Sequence, residues 1–303
     1  MRFQILSLAF LVHHACSSII PTSVKGELIS ARSEPPSESS PNPIASQYPN
    51  NVTGTINNTI AVVPISYNLA RSIIPSQYGI LTKAYKSLLP GFPKDSYPLV
   101  VRAVLDHDIQ VYAANISIPD FQASRAPNLL GDGYSSYTYS KYLLVTSTNL
   151  VAIAGVAMYG TIPVPSNFSS PQAYAFTNGR DKDVFLDAYT DLLSKEPSVT
   201  TRFKPTTEIA PWPLDFYKNV TNQPTFTNGL SCDNQLDIFN TLLSTGKNAP
   251  VGVKGDIMIK APYLPSDSTF RGVHGIKVDV AFVENNAIPC EQLKGYSGTG
   301  SGD

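Results

Sequence analysis

Charge is scarce in this sequence and nowhere clustered. Lys and Arg number 22 against 23 Asp and Glu, 15% of 303 residues, with a net charge of −1. Without a basic patch the chain lacks the electrostatic footprint of a nucleic-acid binder, so no nucleic-acid partner is expected. Long apolar runs near the start are missing too: residues 5–12 fall far short of the ~20 needed to cross a bilayer, and no membrane span is expected. Histidine is rare, at four. His13 and His14 sit in the N-terminal segment, which leaves His107 and His274, too few for a three-histidine zinc site. The run Asp106-His107-Asp108 cannot chelate one ion by itself, because neighbours on a strand point to opposite faces. Neither a metal nor another cofactor is expected. A Gly-x-Ser-x-Gly elbow, a phosphate loop and a dinucleotide fingerprint are also absent. Gly131-Asp132-Gly133-Tyr134 reads as a turn.

What is present begins with an address. Met1-Arg2-Phe3, the apolar residues 5–12 and then His13-His14-Ala15-Cys16-Ser17-Ser18 follow the basic, apolar, small-residue order of a secretory signal. Ala15 and Ser17 suit cleavage after residue 17, so residues 1–17 are read as the signal and the protein as secreted. Residues 18–54 carry the run Glu34-Pro35-Pro36-Ser37-Glu38-Ser39-Ser40-Pro41, which has little to bury and reads as a disordered leader. The leader and sequons suit a fungal secreted protein. Removing the signal removes Cys16 and leaves Cys232 and Cys290. In an oxidising compartment these are expected to form a disulfide closing about 58 residues, worth about 4 kcal/mol in the chain-entropy picture. Two buried thiols are the alternative. Sequons at Asn51, Asn57, Asn115, Asn167 and Asn219 are permitted N-glycosylation sites.

Residues 55–293 are read as one domain and 294–303 as a tail. The 42% apolar fraction supports a core. Short β-branched runs at 60–65, 99–111, 142–146, 150–158, 251–259 and 273–283 predict strands of an antiparallel sheet or barrel. Helices are expected over 68–74, where Pro75 is the stop signal, over 184–194 and over 234–243. The fold class is β-rich α+β. On the strand at 101–111, alternation puts Arg102, Val104, Asp106, Asp108 and Gln110 on one face. That face is either solvated or lines a polar pocket inside a barrel. Tyr137 and Tyr139 share a side at strand spacing and suit one wall of a ligand pocket with Val104, or else an aromatic ladder that stabilises the sheet.

The segment Val62-Val63-Pro64-Ile65-Ser66-Tyr67-Asn68-Leu69-Ala70-Arg71-Ser72-Ile73-Ile74-Pro75, with Gly79-Ile80, resembles the acetoacetate decarboxylase-like superfamily. There an early strand leads into a short helix that ends in two branched residues and a proline. Tyr97-Pro98-Leu99-Val100-Val101-Arg102 looks like the family's next strand. Lys141-Tyr142-Leu143-Leu144 with Ala152-Ile153-Ala154-Gly155 looks like the central pair before its active-site turn. The likeness covers residues 56–175 and implies a cone-shaped antiparallel β-barrel with a cavity for a small organic acid. The family's chemistry forms a Schiff base on a lysine whose amine is freed by apolar burial and a second lysine beside it. The matching stretch here is Thr161-Ile162-Pro163-Val164-Pro165, which has no lysine, and no glutamate occurs between Glu38 and Glu196. The expected function is therefore binding of a small apolar or keto acid without the Schiff-base step. The alternatives are a decarboxylase or lyase using other groups, with Arg102, Asp106 and Lys141 as catalytic candidates, and an extracellular structural or interaction protein. Lys254 and Lys260 are further relocated lysines.

Overall fold

The computed structural model describes residues 42–81, 89–111, 114–124, 127–128, 136–169, 183–191 and 193–294; the predicted signal, the leader up to residue 41 and most of the tail lie outside them. In chain order the elements are β1 (Val52–Ser66), α1 (Tyr67–Ile73), β2 (Gly79–Ile80), β3 (Ser96–Val111), β4 (Ala114–Ser124), β5 (Pro127–Asn128) and β6 (Thr138–Tyr139). They continue with β7 (Tyr142–Thr146), α2 (Leu150–Met158), β8 (Ile162–Phe168), β9 (Val184–Tyr189), β10 (Val199–Pro205) and α3 (Leu214–Thr221). The last are β11 (Thr225–Phe226), β12 (Ser231–Ile238), β13 (Val251–Ile259) and β14 (Ser268–Pro289). Strands dominate and helices are few, so the β-rich α+β class holds.

The ladder order runs β1-β3-β4-β7-β8-β9-β10-β13-β14, and β14 pairs again with β1. The pairing thus returns to its starting strand. The 22-residue β14 makes this possible because one edge faces β1 while the other is shared, first by β13 and then by β12. β12, β11 and β6 leave the circuit as an extension, so the sheet as a whole is not one closed cylinder. An all-antiparallel sheet was expected, but β7 and β8 run parallel, as do β6 and β11. A parallel step needs a crossover. That crossover is α2, so residues 150–158, read from their β-branched content as a strand, form a helix instead. Asn149 caps it by accepting from the Ala152 amide at 3.0 Å.

Two further expectations are corrected. Residues 184–189 are β9, not a helix. The apolar positions 185, 188 and 189 fit a helical stripe, yet Val184, Leu186 and Ala188 also alternate, and it is these that are buried. Residues 231–238 are β12, because pairing with β14 overrides the local helical pattern. Helix α1, its end before Pro75 and the strands at β3, β7 and β13 stand as expected. Residues 42–51, read by composition as leader, are turns, and Ile44 packs with Leu243, Ala281 and Val283.

Burial on β1 is almost continuous, because the sheet is covered on both sides. Ile56, Asn58 and Ile60 face the same way as their partners Asp106, Val104 and Arg102 on β3 and Val280, Val278 and Ile276 on β14. Gly54 on this face lies opposite Phe282, and a Cβ there would meet the ring at 2.6 Å, so the aromatic can cross β1 only over a glycine. Arg102 on β3 donates to Asp237 on β12 at 2.8 Å. β1 and β14 lie between those strands, roughly 14 Å of sheet if it were flat. The ion pair therefore bridges the hollow of a strongly curled sheet, and this face is the concave one.

Breaking a buried ion pair from one side leaves an uncompensated charge, which costs about 3–5 kcal/mol, whereas replacing both partners with apolar groups is often neutral. Chemical denaturation is expected to show Arg102→Met destabilised on that scale, and Arg102→Met with Asp237→Leu restored to within about 1 kcal/mol of the parent. An additive double variant would remove the pair from its bridging role.

Candidate functional site

The concave face collects the polar groups read off β3. Arg102, Val104 and Asp106 are all buried, which removes the solvated reading for them and leaves the interior one. Alternation fails beyond Asp106. The β3–β4 register shifts between Asp106 and Ile109, and Asp108 takes a φ of 49°. Its carboxylate turns to His107 Nδ1 at 2.6 Å. Arg102 is held by Asp237, whose other oxygen accepts from Gln235 at 2.9 Å. Asn222 clamps the Asp237 backbone on both sides, at 2.6 and 3.0 Å. A guanidinium so engaged is not a free receptor for a substrate carboxylate. Asn58 sits diagonally beside Arg102, with neither amide atom paired to protein.

Two carboxyl groups, Asp237 and Asp233, feel this cation, and Glu284 lies beside Asp233. Asp237 is pushed above the usual carboxylate range by burial, opposed by Arg102 and Gln235. Asp233 is pushed well above it by burial and then by neighbouring Glu284, opposed by Arg102. Glu284 is raised by burial, opposed by its hydrogen bond to Asn286. For Asp233 and Glu284 burial outweighs what opposes it, which favours their protonated forms. Predicting a helix over 234–243 hid this cluster, because what brings Glu284 beside Asp233 and Asp237 is the β12–β14 pairing, with Gln235 opposite Glu284.

His107 lies on the other side of β1, its Nε2 against Asn57 at 3.0 Å. His274 lies opposite Val62 on the concave side, so the two histidines do not meet. Burial holds the His107 imidazole below its ordinary pKa, opposed by Asp108. The same contact decides one sequon: Asn57 is fully buried, and a glycan there is incompatible with the fold. Asn167 is exposed on β8, Asn51 and Asn219 are half-buried, and Asn115 lies on β4, whose side chains are outside those described. Tyr137 and Tyr139 do not wall a ligand cavity. They are buried with Tyr78 around Phe226, at centroid distances of 6.1, 5.6 and 5.0 Å. This second core includes the disulfide Cys232–Cys290, and the Tyr137 hydroxyl donates to the Cys290 carbonyl at 2.9 Å.

A cavity of about 260 Å³ lies elsewhere, between the end of α1, the start of β7 and the loop after β13. Its walls include Ile73, Tyr142, Leu144, Ile259 and Tyr263, and Lys141 stands exposed beside it. In ladder order β8, β9 and β10 separate β7 from β13, so a cavity touching both Leu144 and Ile259 lies across the curl of the sheet. Tyr142 and Tyr263 meet edge to face at 5.5 Å, and the Lys141 ammonium lies 5.0 Å from the Tyr142 ring centroid. Arg71 fixes the α1 end by donating to the carbonyls of Ile74, Pro75 and Tyr78. Of the sequence candidates only Lys141 reaches this cavity; Arg102, Val104 and Asp106 belong to the concave core. The Pro262-Tyr263-Leu264-Pro265 wall was missed, since a proline-bounded loop carries no periodic signal.

The turn 161–165, which the sequence resemblance sets against the family's lysine pair, follows α2. Thr161 is buried there, donating to the Ser140 carbonyl at 2.9 Å, and Ile162, Pro163 and Val164 open β8. Among solved structures, the enduracididine biosynthesis enzyme MppR complexed with pyruvate superposes with a TM-score of 0.50, covering 79% of this chain and 91% of that one at 8% identity. At that identity the likeness shows a shared fold and nothing more. An acetoacetate decarboxylase-like enzyme from Sphingomonas wittichii RW1 aligns at a TM-score of 0.42 and 7% identity over 79% of this chain and 94% of that one. An acetoacetate decarboxylase aligns at 0.41 and 8% over 79% and 90%. No family model and no curated protein matches the sequence. Among the described residues no helix is long and apolar enough to cross a membrane, and no group of three or more His, Cys, Asp or Glu could hold a metal ion.

The raised carboxyls fix a pH dependence. A group whose folded pKa lies above its unfolded value stabilises the fold below the unfolded pKa, and that contribution is lost as pH rises through the folded pKa. Asp233→Asn removes the penalty, so its thermal midpoint should exceed the parent's by a few degrees near neutral pH, at about 2–4 °C per kcal/mol. The gain should shrink toward pH 4, where the parent carboxyl is protonated. A gain independent of pH would show that Asp233 is not held neutral.

Proposed function

We propose that this is an extracellular protein that binds a small apolar or keto acid beside Lys141, on an acetoacetate decarboxylase-like scaffold that does not run the Schiff-base step. The observation that carries the reading is the cavity itself. Among the described residues its lining combines one ammonium with apolar and aromatic walls and contains no carboxylate. Such a lining attracts an anion with a compact apolar body, and about 260 Å³ suits a few-carbon acid rather than a drug-sized ligand. Lys141 is exposed, and among the described residues no second lysine or arginine lines the cavity, which leaves the lysine there without the apolar burial that Schiff-base attack calls for. The turn at Thr161-Ile162-Pro163-Val164-Pro165 supplies no substitute. Secretion is supported by the N-terminal pattern and by the Cys232–Cys290 bridge, which persists in an oxidising compartment.

Native mass spectrometry of the secreted chain against pyruvate, acetoacetate and short fatty acids, with and without borohydride, tests this reading. Reversible binding is expected, weakened at least about tenfold by Lys141→Gln, which removes one charge-assisted contact. A borohydride-trapped adduct on any lysine would restore the decarboxylase reading. Failure of the whole panel to bind would favour a structural role.

A further inference from the structure

Helix α2 is apolar on every side, and such a helix is ordinarily buried. Here it is not. Its inner face, Ala152, Ile153 and Val156 with Tyr159 beyond, packs on Leu143 and Val145 of β7. Its outer face presents Leu150, Val151, Ala154, Ala157 and Met158 to solvent, with the three large side chains 76%, 60% and 59% exposed. Two more exposed apolar residues adjoin it. Ile162 opens the next strand, and Leu230 is brought near by the Ser231 hydroxyl, which donates to the Met158 carbonyl at 3.2 Å. A scattered exposed leucine means nothing, whereas a continuous stripe of this kind marks an interaction site.

Two properties of the stripe identify its occupant. The first is charge. Between Lys141 and Arg180 the sequence has no Asp, Glu, Lys or Arg at all. A partner recognised by charge would find nothing to pair with, but a surface that meets itself incurs no like-charge contact. The second is symmetry. The exposed positions 150, 151, 154, 157 and 158 are arranged evenly about Ala154. When two antiparallel helices are related by a two-fold axis through that residue, Leu150 meets Met158 of the other copy, Val151 meets Ala157, and Ala154 meets itself. Self-complementarity of this form is what an isologous interface requires. Alanines at the crossing let the axes approach closely while the large side chains at each end seal the contact. Apolar, charge-depleted patches are the mark of homodimer cores.

We infer that the outer face of α2 is the two-fold interface of a homodimer, with Ala154 on the axis. The interface lies on the outside of the β7–β8 crossover and does not depend on the ligand reading. Sedimentation of the secreted chain in the micromolar range is expected to give the mass of two chains. Ala154→Glu, which sets two carboxylates against each other on the axis, should weaken the dimer at least about tenfold, or 1.4 kcal/mol. Leu242→Glu, at an 89% exposed position past the end of β12 opposite to Ser231, should leave the mass unchanged and controls for added charge. Under mild oxidation Ala154→Cys should cross-link to its own copy. Leu150→Cys alone should not, since its two copies stand about 12 Å apart along the axes, beyond disulfide reach. A mixture of Leu150→Cys and Met158→Cys chains should cross-link again. A parent chain that is monomeric throughout this range overturns the inference, as does a dimer that survives Ala154→Glu. So does a monomer that instead binds neutral phosphatidylcholine vesicles through α2, which would make the partner a lipid surface.

Discussion

A ladder of nine strands that returns to its first strand cannot alternate direction at every step, because an odd number of reversals never restores the starting direction. At least one neighbouring pair must run parallel. In this chain that step is β7–β8, and most of what is particular to the molecule follows from it. A parallel step demands a crossover, and the crossover must lie outside the sheet because the concave side is filled. Hence α2 is a helix despite its β-branched residues, and it sits on the exterior. The same step puts Lys141 just before β7, at the cavity mouth, and sends the chain through Thr161 into β8, a turn without lysine. One topological requirement thus sets the position of the cavity's cation, of the turn without lysine and of the exposed apolar helix.

The concave interior explains why the rest of the polar inventory points away from catalysis. Arg102 bridges to Asp237 across the curl, and Asn222 and Gln235 complete the shell around that carboxylate. Desolvation then works on the other acids: burial outweighs what opposes it, so Asp233 and Glu284 do better protonated. The arrangement spends its only local cation on structure. A substrate carboxylate entering there would meet an Arg already paired and acids ready to give up stabilisation when ionised, whereas the Lys141 cleft offers an unspent ammonium beside aromatic walls. The physical division between the two regions is therefore electrostatic as well as spatial.

How much of this was legible in the sequence depended on whether local and tertiary preferences agreed. β3, β7 and β13 were readable because β-branched runs coincided with pairing, and α1 because Pro75 marks its end. The resemblance carried by residues 62–75 and 141–155 pointed to the correct fold class even though it placed α2 within a strand pair. β9 and β12 were misread because short segments satisfy a helical and an alternating period together, and only burial decides between them. The carboxyl cluster was invisible because it joins β12 to the end of β14, a long-range pairing that no local pattern announces. Tyr137 and Tyr139 were seen as sharing a side, which was sound, but the sequence does not say whether a shared side faces a cavity or another ring. Here it faces Phe226. Lys141 was a weak candidate among several lysines until the loop at 261–265 closed over it.

The exposed face of α2 shows where a single-chain reading of burial stops. A globular core explains an apolar residue by what covers it within the chain, and by that criterion Leu150, Val151 and Met158 are unexplained. Propensity does not require them, since a crossover helix with lysines or glutamates on its outer face would form equally well. What distinguishes this helix is that its outward residues repeat evenly about one alanine in a segment with no charge. Neither feature adds anything to the stability of one chain in water. Both gain a purpose once the surface is opposed to its own copy. The crossover imposed by an odd-stranded ladder then serves two ends: it completes the sheet on one side, and on the other it offers an uncharged surface that a two-fold axis can use.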